Sequence, residues 1–259
     1  MTARPLVVEF LGLPGAGKTT VARRVTEEMT SRGYGCGSRD LIGRRASSRA
    51  RHYVRVGAFY LRHAAELRSV LRLGLSGSTF RLSRVRQALK LSVWSYRLEA
   101  VRTAGYDLAI LDQGPVQQAC STMLHGRVES ARAVNAVLRS VLLGSGVCFA
   151  FVYFDIDVDL AVERIASRPS DKQSFGRLKG PEAKLLLTEY QSCLDGFLKE
   201  AEAVSRAPLH RVDGARPVAE ISGELAGFIE AAAARRGVTP GSESRLHGSG
   251  DGLTAVTRR

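Results

Sequence analysis

Residues 10–20 read FLGLPGAGKTT, and the eight from Gly12 to Thr19 fit G-x-x-x-x-G-K-[ST] at every position. The preceding run PLVVEFL (5–11) is apolar and β-branched, and reads as a buried strand. The following KTTVARRVTEEMTSRG sets Val21, Val25 and Met29 at helical spacing, with Gly33 as its stop. A strand, a glycine turn and a helix in that order is the context in which this motif cradles phosphate. Gly12, Gly15 and Gly17 permit tight backbone turns and keep side chains out of the way of an oxyanion. Backbone N–H groups and the helix N-terminus then face the phosphates. Lys18 supplies a cation for the β and γ phosphates, and Thr19 a hydroxyl ligand for Mg²⁺. The expected cradle is Gly12, Pro14, Gly15, Ala16, Gly17, Lys18, Thr19 and Thr20, and the expected ligands are ATP and Mg²⁺. Hydrolysis, transfer and sensing all begin with such a loop, so the reaction must be read elsewhere.

The rest of the chain alternates strand and helix. YGCGSRDLI is a weak second strand ending near Arg39 and Asp40, YDLAILD (106–112) a third, VCFAFVYFD (147–155) a fourth and PLHRVD (208–213) a fifth. Helical patterns cover 53–73, 80–105, 133–146, 159–168, 181–204 and 218–236. In the second of these, Leu82, Val85, Leu89, Val93, Tyr96 and Ala100 form one apolar stripe. The pattern predicts an α/β chain: a P-loop NTPase-type three-layer sandwich with a mostly parallel five-stranded sheet, helices on both faces, and a helical insertion between strands 2 and 3. Residues 1–236 form the expected single domain, with 44–104 as the insertion and 160–180 as a lid-like region. From Gly237 onward, a Gly/Ser/Thr-rich sequence without periodicity predicts a disordered tail.

Four scattered cysteines without C-x-x-C spacing suggest neither a metal knuckle nor a disulfide framework, and fit a reducing, cytoplasmic setting. No stretch approaches the ~18 uninterrupted apolar residues of a spanning helix, so no transmembrane segment is expected. No N-K-x-D guanine-reading sequence is present. The third strand ends AILDQG, with an Asp but without the following Glu that polarises a hydrolytic water, which argues against hydrolysis.

GLPGAGKTT, YDLAILDQG, FDIDVDLAVERIASR and LHRVDGARPVAEISGEL occur in the order of the P-loop nucleoside and nucleotide kinases. Over about a third of its length the chain resembles that family, the thymidylate kinase-like members in particular. The resemblance implies phosphoryl transfer from ATP to an acceptor. It implies that Asp40, after the second strand, contacts the acceptor or acts as base. It implies that Asp112, after the third strand, organises Mg²⁺ or the acceptor. Arg164, Arg168 and Arg177 then match the arginines of a closing lid, and Gly214, Ala215 and Arg216 match the loop bordering the adenine. Lys18, the lid arginines and Mg²⁺ would neutralise developing charge, and Asp40 or Asp112 would deprotonate an acceptor hydroxyl. The chain departs from the family where the acceptor binds. It has DQGP in place of Asp-Arg-aromatic, and SRDL without the usual Glu-Pro. Gln113 and Gln117 either hydrogen-bond the acceptor or cap the next helix.

Formal net charge is +13, and residues 44–102 hold fourteen Lys/Arg against only Glu66 and Glu99. Three readings stand: a solvated cationic face, a surface for nucleic acid or anionic lipid, or a pocket for an anionic acceptor. The interleaved aromatics, Trp94 and Tyr96 among them, are at helical spacing and suit a core better than a base-stacking platform. The leading expectation is a small-molecule kinase with an anionic or hydroxyl-bearing acceptor. The alternative is a nucleotide-dependent regulatory or binding protein whose basic helices meet nucleic acid or membrane.

Overall fold

The computed structural model describes residues 4–38, 57–58, 68, 72–73, 82–126, 128, 130–167 and 180–240. Its frame is a sheet of five strands: β1 (Leu6–Gly12), β2 (Cys36–Ser38), β3 (Leu108–Leu111), β4 (Cys148–Asp155) and β5 (Leu209–Asp213). They lie in the order β2-β3-β1-β4-β5, and every pairing is parallel. A parallel sheet covered on both faces needs apolar side chains on both, which is why β1, β3 and β4 read as near-continuous hydrophobic runs. All seven residues of β1 are buried, as are all four of β3. β1 is central, in register with β3 from Leu6 opposite Leu108 and with β4 from Leu6 opposite Cys148.

Seven helices accompany the strands among the described residues: α1 (Lys18–Ser31), α2 (Leu82–Thr103), α3 (Pro115–Gly126), α4 (Ala131–Gly144), α5 (Val158–Ala166), α6 (Gly180–Ser205) and α7 (Val218–Ala234). α1 packs on α7, and Arg32, at the C-cap of α1, pairs with Glu230 of α7 at 2.6 Å. α2, α3, α4 and α6 form a second packed group. The arrangement is the expected α/β three-layer architecture, with sheet and helices meeting in one continuous hydrophobic core. No helix of the described residues is long and apolar enough to cross a membrane.

Two expectations change, and α3 is a helix that the sequence patterns did not include. The helix α2 does not bury the stripe its sequence suggested: Ala88, Leu91, Trp94, Leu98 and Val101 are buried, while Leu89 of the expected stripe is 38% exposed. The helix is apolar on two sides, and the side packed against α3 and α4 holds a mixture of apolar residues with Arg84, Ser92 and Ser95, which pattern counting passes over. α3 carries no clean stripe either, because Gln117 and Thr122 are buried on it together with Val116, Ala119 and Cys120. Gly237, the expected start of the tail, is instead part of the described fold. That glycine, at φ 67°, closes α7: its N–H donates to Ala234 O, and the Val238 N–H donates to Ala233 O. This pair of bonds needs a left-handed residue and sets an apolar one after it. Val238 is buried accordingly. Residues 241–259 lie outside the described residues.

Candidate functional site

The carboxyl ends of β1, β3, β4 and β5 share one edge of the sheet, the edge where open α/β folds bind ligands. β1 runs directly into the glycine loop. Gly12, Gly15 and Gly17 have φ of 135°, 92° and 84°. α1 starts at Lys18 with Gly17 as its N-cap, and no side chain caps its first turn. The loop therefore presents a helix N-terminus without a capping oxygen, which suits an anion. Lys18 is buried, and its Nζ donates to Gly12 O and Leu13 O, both at 2.8 Å. The cation is thus held across the loop that the motif builds.

Asp112 follows β3 and reaches the start of α1. The Thr19 hydroxyl donates to Asp112 Oδ2 at 2.8 Å across 93 residues of sequence. A hydroxyl and a carboxylate side by side are hard oxygen donors of the type Mg²⁺ takes when phosphates and water complete its shell. Among the described residues no cluster of three or more His, Cys, Asp or Glu could hold a metal by itself. A two-oxygen set fits a cation shared with a bound phosphate rather than one caged by protein.

The far side of the loop is lined by α5 and by the turn after β5. A Cβ on Gly15 would stand 3.0 Å from Ala161 O of α5. The Gly214 N–H donates to Asp155 O at 2.7 Å, which brings the turn after β5 beside Ala16. Ala215 N–H donates to Asp213 Oδ1 and tightens the same turn. Arg164, at the end of α5, donates from Nη1 to Gly214 O at 2.9 Å. Arg216 is drawn away to α7, with Nη1 donating to Glu224 Oε2 at 2.6 Å, while His210 Nε2 meets Glu224 Oε1 at 2.7 Å. Arg216 first, and His210 with it, hold the Glu224 carboxyl below its usual range.

Lys18, Thr19 and Asp112 thus converge. Gly214, Ala215 and Arg164 border the same loop from its other side. Asp40, Arg168 and Arg177 lie outside the described residues, as does most of the basic segment. Within the described part of that segment, Arg84 is buried and the Arg97 guanidinium lies 4.8 Å from the centre of the buried Trp94 ring. Those two cations and that aromatic belong to the interior of the fold and its margin.

One residue of the site was not singled out by its sequence. Glu9, in the middle of β1, has 0% exposure. Its Oε1 accepts from Gln117 N at 2.9 Å and its Oε2 from Val116 N at 3.2 Å. These are the second and third residues of α3, whose first is Pro115 and has no N–H to satisfy. The Gln118 N–H donates to Gly114 O. Glu9 is therefore the cap of α3, supplied from a strand 107 residues before Val116. Gln117 does not cap it with its side chain, whose buried Oε1 has no hydrogen-bond partner among the described residues, and Gln113 is exposed. Burial pushes the Glu9 carboxyl up to about 8, against the downward pull of the N–H groups of Gln117, Val116 and Gly114. A Cβ on Gly114 would overlap the Glu9 carboxyl carbon, so the turn after Asp112 needs glycine. The signal in the sequence was a lone carboxylate between Val8 and Phe10.

No family model matches the chain, and no curated protein matches it. Among solved structures it is similar to one described as the crystal structure of APE1195, at 15% identity and a TM-score of 0.43, over 90% of this chain and 98% of that one.

Proposed function

We propose that the protein is a P-loop phosphotransferase of the nucleoside/nucleotide kinase type, acting on a small acceptor that is anionic or bears a hydroxyl. The observation that carries this reading is the 2.8 Å contact of Thr19 with Asp112 beside a glycine loop spanned by Lys18. That contact joins the two halves such a reaction needs: a cradle for a triphosphate, and a carboxylate at the end of the next strand facing it. When bound, ATP with Mg²⁺ supplies the transferable phosphoryl group and the charge that activates it.

The chain's own residues position and stabilise. The glycine loop and the α1 N-terminus orient backbone N–H groups toward phosphate oxygens. Lys18 holds a positive charge at the loop, where negative charge develops on transfer. Thr19 and Asp112 are the residues that would hold the divalent cation. Arg164 steadies the Gly214–Ala215 turn, which matches the wall of the nucleoside in related folds.

The test is nucleotide binding and turnover in the intact chain. Mg²⁺-dependent ATP binding is expected, lost in Lys18→Ala, with ATP consumption that rises when the acceptor is added. Consumption that is unchanged across a broad panel of candidate acceptors would contradict the reading.

A further inference from the structure

The proposed reaction requires Asp112 to stand at a fixed place relative to the glycine loop. Both are attached to β1. Gly12 ends that strand, and Glu9 lies three residues earlier on it. Glu9 is opposite Leu111 in the β1–β3 register, so Asp112 follows the residue paired with Glu9. Past Asp112 the chain turns through Gln113 and Gly114 into α3, and the first two N–H groups that α3 can offer both end on the Glu9 carboxylate. The turn is thus clamped at both ends: Leu111 by the sheet, Val116 and Gln117 by Glu9. On its open side Asp112 accepts from the α1 hydroxyl of Thr19.

We infer that Glu9 is a positioning residue for phosphoryl transfer, setting Asp112 against Thr19 by capping α3 from within the strand that carries the phosphate loop. A carboxyl group at 0% exposure in the central strand is costly to bury. An apolar residue there would fill the space without that cost, and a capping Ser or Asp before Pro115 would satisfy α3 locally. Glu9 does what neither can. It makes the distance between the cradle and the carboxylate a property of one rigid strand instead of a surface turn. Residues that orient a metal ligand without touching the metal act in this way.

The inference rests on the phosphotransfer reading, and its test separates the two. Glu9→Leu removes both acceptors at similar volume, and Glu9→Gln keeps one oxygen acceptor where two stood. Three quantities are measured in the full chain: amide exchange of Val116 and Gln117, affinity for a fluorescent ATP analogue in EDTA, and the Mg²⁺ concentration that gives half-maximal enhancement of analogue binding. The metal-free affinity stays at the wild-type value, because the loop is untouched. Exchange at 116–117 quickens, and the Mg²⁺ requirement rises roughly tenfold in Glu9→Leu and by a smaller factor in Glu9→Gln. In an Asp112→Asn background the further effect of either substitution disappears, as it must if Glu9 acts through Asp112. Faster exchange with an unchanged Mg²⁺ requirement makes Glu9 a helix cap only, and overturns the inference. If Glu9→Leu does not fold, Glu9→Gln decides, and a wild-type Mg²⁺ requirement there also overturns it. Wild-type protein that binds no ATP analogue at all sinks the parent reading, with the positioning role beside it.

Discussion

The Thr19 hydroxyl donates to the Asp112 carboxylate at 2.8 Å, joining the start of α1 to the end of β3. The bond uses the hydroxyl alone, so the methyl group of Thr19 is dispensable. Thr19→Ser is expected to keep the Mg²⁺ dependence of nucleotide binding. Thr19→Ala should raise the half-saturating Mg²⁺ about tenfold or more, in line with losing one oxygen of a metal's surroundings. Titration of Mg²⁺ into the ATP complex of each variant checks this, and equal behaviour of Ser and Ala would contradict it.

Glu9 gives stability a pH dependence of definite sign. Its carboxyl titrates near 8 in the fold against 4.5 as the reference value. Between those values the native chain holds a proton that the unfolded chain releases, so rising pH favours unfolding. The Glu9 contribution is complete below about 4.5 and is lost as the pH climbs through 8. Urea unfolding of the wild type and Glu9→Gln at pH 5, 6, 7 and 8 should show the stability difference moving against the wild type as pH rises. A difference independent of pH would contradict the assignment.

Gly114 is fixed by contact, not by its backbone angle. A methyl group at this position overlaps the Glu9 carboxyl carbon, which cannot retreat because two α3 N–H groups hold it. Gly114→Ala is expected to destabilise by about 1–3 kcal/mol, the usual range for forcing extra volume into a packed site. Combined with Glu9→Ala, its cost should fall below the sum of the separate costs, since shortening Glu9 removes the group that the added methyl overlaps and the methyl occupies part of the space left. Denaturant unfolding of the four chains measures both effects.

Arg164 touches the turn after β5 through Gly214 O and lies away from the Thr19–Asp112 pair. Arg164→Ala should weaken ATP binding by roughly ten- to a hundredfold, as the loss of a hydrogen bond from a charged group worth about 1.5–3 kcal/mol. The half-saturating Mg²⁺ should not move. Calorimetric ATP titrations at several Mg²⁺ concentrations separate the two, and a shift in the metal dependence would contradict the division of the site into two sides.

The parts of this fold that a single sequence exposes are those governed by local rules. The glycine loop is legible because its chemistry is contiguous. β1, β3 and β4 are legible because both of their faces are buried. What escaped notice depends on partners distant in sequence. α3 buries Gln117 and Thr122, so its pattern looks mixed until its neighbours are known. The inward face of α2 includes Arg84, which composition alone assigns to solvent. Glu9 is the clearest case: its neighbours along the chain give no hint that its partners are the amides of 116 and 117.

Phosphoryl transfer itself is tested most directly by following the γ-phosphate. ATP labelled at that position is incubated with the protein, Mg²⁺ and a panel of nucleosides, nucleotides and other hydroxyl-bearing or anionic metabolites, beside Lys18→Ala and Asp112→Asn. The account predicts that label appears on one class of acceptor, and that each substitution lowers the rate by ~10²–10³, the scale of losing one charge-stabilising group. Label found only in inorganic phosphate, at a rate indifferent to every acceptor, would contradict it.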